Sequence, residues 1–365
     1  MLKRVYIDNF RSFVNFELPL AQQQLILGLN GTGKSTLLEV LQAIKGLISG
    51  EQNPDIFFPA TTLTRWQTLS KQTFELDVEL GSLYQFRLEL DSWGSPPRTR
   101  IKRESVMCDK RLVFEFVDGE VHLFNDFFEQ KVTYPFDWFR SALATIQPRA
   151  ENTKLIHFKN WIANLYCLQI NPGKMSERAE REEPELALDT SNFASWYRHM
   201  TQEQAGAAAR LQEHLRRIIP GFESLDLRAA GTKAREIMVR FAHTQGLSPM
   251  SFDVGFSELS DGQRVLICLY SLLEFIVTRN ACIFLDEPEN YIAIPEIQPW
   301  LMELRDRVDD LGAQVTLISH HPEIVNYMAP ELGIVFEREG PGPVRVHKYV
   351  SSDLLAPAEQ IARGW

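Results

Sequence analysis

A short run near the amino terminus has the composition of a phosphate-binding loop. In Gly28–Thr36, Gly28 and Gly33 bracket four residues and are followed by Lys34 and Ser35. Glycines let consecutive backbone N–H groups approach an anion closely. A lysine ammonium then contacts the outer phosphates of a nucleotide, and the next hydroxyl is a ligand for Mg²⁺. The spacing therefore predicts binding of a nucleoside triphosphate.

Two adjacent carboxylates follow an apolar run later in the chain. Asp286 and Glu287 come directly after Ile283–Leu285, which places them at the carboxyl end of a predicted buried strand. Open α/β sheets bind ligands at that edge, so we expect both acids to face the phosphate loop. Asp286 suits a Mg²⁺ contact, direct or through water, and Glu287 suits a base that orients or deprotonates water. Two such acids alone often only cap a turn, but beside a phosphate loop they predict triphosphate hydrolysis.

A histidine pair follows the next apolar run, Val315–Ile318. At the end of that strand His320 would reach the terminal phosphate and hydrogen-bond to it as a sensor. A lone histidine at a strand end is usually structural, but its place in the sheet favours function here. We expect His320 to take part in hydrolysis, and His321 is the weaker candidate.

A second anion-binding motif lies at a predicted helix start. Ser260, Asp261, Gly262 and Gln263 combine a helix-capping serine with a glycine. A helix start of this kind offers free N–H groups to an anion, although it is also an ordinary capped terminus. Because it lies far from the phosphate loop in sequence, it makes sense as a site for the nucleotide of another subunit.

The elements that must position these residues are strands alternating with helices. Gln24–Leu27 is a strand candidate, and apolar residues from Leu37 to Ile48 have helical spacing. Strand, glycine loop and helix follow one another in the order that a phosphate loop requires. The same alternation from Gln263 to Ile318 indicates a parallel sheet covered on both faces. The predicted fold class is α/β, a P-loop NTPase with a mostly parallel sheet flanked by helices, an antiparallel β lobe and an inserted helical lobe.

The chain divides into four expected segments: residues 1–50, the first part of the ATPase core; 51–135, an inserted antiparallel β lobe; 136–250, a helical insertion; and 251–365, the second part of the core. The β lobe is predicted from alternating apolar residues with turns at Gly81-Ser82 and Asp118-Gly119. In the helical insertion, residues Trp138 to Leu168 have helical character, and a helix is expected from Thr201 to Ile219.

Composition excludes few functions. The net charge of −10 and pI near 5.4 argue mildly against a chain that coats nucleic acid unaided. Four cysteines without metal-ligand spacing are expected to be buried, reduced thiols. The first twenty residues carry charges unlike a signal peptide, and no apolar run reaches the length of a membrane span. We therefore expect a cytoplasmic protein without a membrane partner.

Taken together, the motifs resemble the ABC-type ATPases of the SMC and RecF class and their small bacterial relatives. That class shows the same order of phosphate loop, signature, acidic strand end and switch histidine, here Gly28–Thr36, Leu259–Gln263, Asp286–Asn290 and His320. The opening Ile7–Phe13 also resembles the first strands of the class, where an arginine at the position of Arg11 lies near the nucleotide. The resemblance covers both ends of the chain and is weak between Gly50 and Asp253.

The resemblance implies ATP and Mg²⁺ as cofactors and a head-to-tail homodimer. Two ATP molecules would be sandwiched between the phosphate loop of one subunit and the signature of the other, so that ATP closes the dimer and hydrolysis releases it. The implied ATP-binding residues are Arg11, Asn30, Gly31, Thr32, Gly33, Lys34, Ser35 and Thr36, with Ser35 and Asp286 on Mg²⁺, Glu287 and His320 catalytic, and Ser260, Asp261, Gly262 and Gln263 acting in trans.

Three features depart from the class pattern. Asp261 stands where glycine is commoner, and Tyr291–Pro295 replaces the Leu-His-Pro of many relatives. The glutamine that joins core and lobe in this class has no clear equivalent, and Gln147 is a weak candidate. Communication between two ATP sites is therefore the least supported implication.

The resulting functional expectation is an ATP-gated switch in DNA repair or bacterial antiphage defence, as a homodimer or larger assembly. The segment after His320 is too short for a fused nuclease, so an effector nuclease or toxin would be encoded separately. The alternatives are the ATPase subunit of a membrane transporter, or a scaffold that uses ATP mainly to dimerise and hold an effector. DNA contact is weakly supported. Its candidates are Arg98, Arg100 and Lys102 on one strand face, which equally fit a charged edge strand, and Arg210, Arg216 and Arg217 on a helix.

Overall fold

A computed structural model of the chain describes residues 1–245, 248–351 and 355–362. Its strands are β1 (Leu2–Asp8), β2 (Phe16–Pro19), β3 (Gln23–Leu27), β4 (Gln72–Glu79), β5 (Leu83–Trp93), β6 (Arg98–Cys108), β7 (Arg111–Val117), β8 (Glu120–Phe124), β9 (Gln130–Pro135), β10 (Leu165–Gln169), β11 (Arg178–Ala179), β12 (Phe222–Ala230), β13 (Ala234–Gln245), β14 (Ser248–Gly255), β15 (Cys282–Asp286), β16 (Gln314–Ile318), β17 (Gly333–Arg338) and β18 (Val344–Lys348). Its α-helices are α1 (Lys34–Ser49), α2 (Pro54–Phe57), α3 (Ala142–Thr145), α4 (Thr153–Ala163), α5 (Phe193–Glu203), α6 (Ala205–Ile218), α7 (Asp261–Phe275), α8 (Ile294–Leu311), α9 (Pro322–Leu332) and α10 (Pro357–Ala362).

The central layer is a sheet with the strand order β10-β15-β16-β3-β17-β18, parallel except for β18. Successive residues of its strands enter different hydrophobic clusters. Leu25 and Leu27 pack with the helices α5 to α9, whereas Ile26 packs on the opposite side with α1. Because side chains alternate between the faces of a strand, the sheet is buried on both sides. The α/β architecture predicted from the sequence is confirmed.

A second sheet covers α1 from the other side. Its eight antiparallel strands have the order β2-β1-β4-β5-β6-β7-β8-β9. Leu41 and Ile44 of α1 share a cluster with Phe74 and Phe86 of this sheet and with Phe284 of the parallel sheet. The helix is thus held between two sheets, and its first residue is Lys34 of the phosphate loop.

The helical insertion contains more strand than the sequence predicts. β10 joins the edge of the parallel sheet beside β15, and β11 to β14 form a third, antiparallel sheet. A five-residue apolar run such as Leu165–Gln169 has no periodicity that separates a strand from a helix end. The helix expected from about Thr201 to Ile219 is present as α6, but its start is wrong, because Gln204, with φ −130° and ψ 58°, ends α5 and α6 starts next to it. The boundaries of the four segments stay predictions.

The structure bears on two features considered from composition, the cysteines and the length of apolar helices. All four cysteines are buried free thiols, and burial raises the pKa of Cys282 to about 12. No helix among the described residues is long and apolar enough to cross a membrane.

A buried carboxyl group links β6 to the start of α3. Glu104 is fully buried, and it accepts hydrogen bonds from Ser141 Oγ at 2.7 Å and from the N–H of Leu143 at 3.4 Å. Burial raises its pKa from 4.5 to about 7, although both hydrogen bonds oppose the shift.

This shift predicts a pH-dependent stability. The folded chain binds the Glu104 proton more tightly than the unfolded chain, so the contribution is complete below pH 4.5 and is lost as pH rises through 7. The loss is on the order of 3 kcal/mol. Glu104→Gln should remove this part of the fall in thermal midpoint between pH 5 and pH 8. An equal pH dependence in the variant would show that Glu104 does not titrate in this range.

Candidate functional site

The phosphate loop connects β3 to α1 through three glycines with positive φ. Gly28 has φ 147°, and an added Cβ would lie 2.4 Å from the carbonyl oxygen of Phe336. Gly33 has φ 95° and caps α1, where a Cβ would lie 3.0 Å from the ring of Phe13. Gly31, with φ 80°, has open space where a Cβ would stand. Neighbouring atoms exclude larger residues at the two ends, while the middle of the loop stays open to a ligand.

Two polar groups at the start of α1, one cationic and one a hydroxyl, face the acidic end of β15. Lys34 Nζ donates to the carbonyl oxygens of Gly28 at 2.6 Å and Leu29 at 3.0 Å. Ser35 Oγ donates to Asp286 Oδ2 at 3.0 Å, although the two residues are 251 positions apart. Burial lowers the pKa of Lys34, partly offset by Asp286 and Glu287. Hydroxyl and carboxylate oxygens this close fit the hard ligand set of Mg²⁺.

Glu287 has a strained backbone at the end of β15. Its φ is 48°, a left-handed conformation that a glutamate rarely adopts. Its N–H donates to the carbonyl oxygen of Ile318 at 2.8 Å, and Asn290 Nδ2 donates to its Oε2 at 2.9 Å. These bonds hold the partly exposed carboxylate at the edge of the cavity described below.

His320 approaches Glu287 from the end of β16. Its Nε2 lies 4.0 Å from Glu287 Oε1. Burial and the charge of Lys34 lower the pKa of His320, and Glu287 only partly opposes them. The imidazole is therefore neutral at pH 7, so one ring nitrogen donates and the other accepts. His321, the weaker candidate, instead caps α9 by accepting from the N–H of Glu323.

A buried carboxyl group joins the loop that carries Glu287 to the segment that carries His320. Ser319 Oγ donates to Glu289 Oε1 and accepts from the N–H of His321. Glu289 is almost fully buried, and its Oε2 has no hydrogen-bond partner among the residues that the structure describes. Burial raises the pKa of Glu289 to about 7. The contact fixes the loop after β15 against the end of β16.

A cavity of about 810 Å³ lies over the phosphate loop. Its lining includes these predicted residues: Arg11, Asn30, Gly31, Gly33, Lys34, Ser35, Thr36, Asp286 and Glu287. Thr32 lines the neighbouring cavity behind the loop instead. Arg11 reaches the first cavity while its guanidinium is paired with Glu39 of α1 at 2.5 Å. Loop and acids, remote in sequence, thus share one cavity.

Gln169 is a residue of the cavity that sequence reasoning did not single out. It ends β10, lies opposite Asp286 in the strand register and lines the same cavity. Gln147, the weak candidate, lines a separate cavity with Asn125 and Tyr134. Recognising Leu165–Gln169 as a core strand would have found Gln169, since β10 is the strand next to β15.

The signature residues lie apart from this cavity. Ser260 caps α7, where its Oγ accepts from the N–H of Gln263 at 3.3 Å and the side chain of Gln263 bonds back to Ser260 N–H. Asp261 is paired with Arg264 at 2.5 Å. Among the described residues that line the cavity, none belongs to 260–263. A Cβ on Gly262 would lie 2.8 Å from the carbonyl oxygen of Tyr291, so the loop after β15 packs against this helix start.

The arginines considered for DNA contact are bonded to other groups of the chain. Arg98 is paired with Asp55 at 2.9 Å and Arg100 with Asp91 at 2.7 Å. β6 lies inside the eight-stranded sheet, so the alternative of a charged edge strand is wrong. On α6, Arg210 is paired with Glu274 at 2.7 Å, Arg217 is paired with Glu213, and Arg216 donates to the carbonyl oxygen of Glu223.

Comparison with known proteins identifies the family of the amino-terminal half. Residues 1–192, just over half of the chain, match the family model of the AAA ATPase domain. An SMC head bound to the C-winged helix domain of ScpA aligns with a TM-score of 0.53 at 11% identity, over 95% of this chain and 98% of that one. The SMC head domain from Thermotoga maritima aligns with a TM-score of 0.48 at 15% identity, over 96% and 99%. No curated protein sequence matches the chain.

The contact between Ser319 and Glu289 yields a prediction. Ser319→Ala leaves a buried carboxyl oxygen without its donor, which costs about 1–3 kcal/mol. The thermal midpoint and the kcat of ATP hydrolysis should both fall, with KM changed less. Glu289→Gln keeps an acceptor for Ser319, so its kcat should lie within about twofold of the kcat of the unchanged chain.

A matched control is Ser271→Ala, which removes another fully buried hydroxyl, bonded to the carbonyl oxygen of Ile267 within α7. It should leave kcat unchanged. Equal effects of the two serine substitutions on kcat would assign Ser319 a general structural role only.

Proposed function

We propose that this chain, which belongs to the AAA ATPase domain family and is an ATPase, works as an ATP-gated homodimeric switch. The observation that carries the proposal is the separation of two anion-binding elements. One is the cavity over the phosphate loop, and the other is the exposed start of α7 at Ser260, which contributes nothing to the described lining of that cavity. Two copies arranged head to tail would bring one element of each kind to every ATP.

Within one subunit, the chain's own residues divide the work of hydrolysis. Lys34 and the loop N–H groups hold the phosphates. Glu287 orients the attacking water and accepts its proton, and neutral His320 hydrogen-bonds the terminal phosphate. The 4.0 Å between Glu287 and His320 supports one shared reaction centre. Gln169, opposite Asp286 in the strand register, lines the same cavity from β10.

Ser35 and Asp286, whose oxygens are 3.0 Å apart, are the residues that would hold Mg²⁺. When bound, the ion supplies charge neutralisation on the outer phosphates. Burial raises the pKa of Asp286, and the Ser35 hydrogen bond opposes that shift. A cation beside this carboxylate would stabilise its charged form.

In the closed dimer, Ser260 and Gly262 of one subunit would cover the ATP of the other. The free N–H groups and dipole of α7 support anion binding there. Asp261 does not oppose it strongly, because its carboxylate is paired with Arg264. ATP binding closes the two halves, and hydrolysis removes the phosphate that joins them.

The switch would act through a separately encoded partner. One solved SMC head of similar fold is bound to the C-winged helix domain of ScpA. By analogy, closure of this dimer would alter a surface that a partner binds. A nuclease or toxin in DNA repair or antiphage defence is the partner class we propose. Direct DNA binding receives no support from Arg98, Arg100 or Arg210, which are all paired with acids.

The first prediction concerns trapping of the dimer. Glu287→Gln removes the proposed base but keeps the size of the side chain, so hydrolysis should slow by a hundredfold or more. With ATP and Mg²⁺ the mass in solution should rise from 42.0 kDa to twice that value. Light scattering after size-exclusion chromatography measures it.

The matched control is Lys34→Ala combined with Glu287→Gln, which should bind no ATP and remain monomeric. A Glu287→Gln chain that binds ATP and keeps a mass of 42.0 kDa would exclude the ATP-gated dimer.

The second prediction separates the signature from the nucleotide cavity. Ser260→Arg places a large cation at the exposed start of α7, so ATP should bind each monomer with unchanged Kd while dimerisation is lost. Hydrolysis should then fall to the level of the isolated subunit. Ser251→Arg, at an exposed serine of β14, is the control and should dimerise normally. Normal dimerisation of Ser260→Arg would remove the signature from the interface.

A further inference from the structure

Trp66 is an exposed aromatic side chain in the nucleotide cavity that the phosphate chemistry does not use. Its exposed fraction is 46%, and it lines the cavity together with Lys34 and Glu287. The cavity of about 810 Å³ has room for more than a triphosphate. A nucleotide would fill the additional space with its ribose and base. Trp66 is the one aromatic residue among its described lining.

The loop that carries Trp66 is fixed to the loop after β1. The N–H of Arg11 donates to the carbonyl oxygen of Thr62 at 2.6 Å. Leu63 pairs with Phe10 in an isolated β-bridge, and the N–H of Thr64 donates to Asn9 Oδ1 at 3.2 Å. These contacts fix the backbone that leads to Trp66, so less freedom of the loop is lost when a ligand stacks on the indole.

Arg338 connects this indole to the phosphate loop. Its guanidinium carbon lies 5.9 Å from the centre of the Trp66 ring, within the range of a cation–π contact. The same guanidinium donates to the carbonyl oxygens of Gly31 at 3.4 Å and of Pro341 at 3.2 Å, and its Nε donates to Gly342. It is therefore fixed at one position between the loop and the indole.

We propose that Trp66, with Arg338 beside it, is the platform on which the purine base of the bound nucleotide stacks. The inference rests on the nucleotide site of the proposed function and adds the recognition of the base. A planar ring lies on the indole face, and the guanidinium donates to acceptor atoms on the edge of the ring. A purine has the larger stacking surface, so the site favours purines over pyrimidines.

Binding of three ligands in the presence of Mg²⁺ tests the proposal: ATP, CTP and inorganic tripolyphosphate, which carries no base. Stacking on an aromatic side chain implies that Trp66→Ala lowers the affinity for ATP by about tenfold to a hundredfold. CTP should lose less, and tripolyphosphate should bind as before. Trp66→Phe should restore ATP affinity to within about threefold, because it keeps an aromatic face.

The matched control is Trp93→Ala, at a tryptophan of β5 that is 54% exposed and outside this cavity. It should leave all three affinities unchanged. Equal losses of ATP and tripolyphosphate in Trp66→Ala would overturn the proposal, as would unchanged ATP binding with impaired dimerisation, which would assign Trp66 to the subunit interface. Binding of neither ATP nor tripolyphosphate by the unsubstituted chain would instead remove the nucleotide site itself.

Discussion

The parallel register of β10, β15, β16 and β3 is the constraint on which the site depends. Asp286 lies opposite Gln169 on one side and Ile318 on the other, and Ile318 lies opposite Ile26. All four strands therefore end at one edge, where the phosphate loop begins. Both faces of the sheet are buried, so a slip of one residue would exchange the contents of two hydrophobic clusters. Core packing thus determines which side chains meet, although they come from segments far apart in sequence.

That edge keeps charged groups in surroundings that do not favour their charge. Burial lowers the pKa of Lys34 and His320 and raises the pKa of Asp286. Each shift is toward the neutral form, so the neighbours do not compensate these groups fully. A triphosphate with its cation would provide the missing charges, as is typical of a site built to bind charged groups. The strained φ of Glu287 is a further local cost in stability at this edge.

Sequence reasoning predicted the motifs that local chemistry defines and missed those that depend on tertiary packing. Gly28 to Thr36 and Asp286-Glu287 are recognisable because residue type and spacing carry the chemistry, and the structure brings most of the loop, including Lys34 and Ser35, into one cavity with both acids. Gln169 has no local signal, since its position depends on β10 pairing with β15. Trp66 resembles any loop tryptophan until Arg338, 272 residues away, is found beside it. Charge periodicity on β6 misled for a related reason, because the acids that pair with its arginines come from other elements.

The loop after β15 has contacts that would couple two ATP sites in the proposed dimer. Its start holds Glu287, and Glu289 bonds to Ser319 beside His320. Its end places the carbonyl oxygen of Tyr291 against Gly262 at the start of α7. A change at the reaction centre of one subunit would therefore reach the helix that covers the other subunit's ATP within five residues. Since this contact uses a backbone carbonyl, it does not depend on the side chain at position 291. The departure from the Leu-His-Pro pattern of many relatives is thus compatible with communication between the sites.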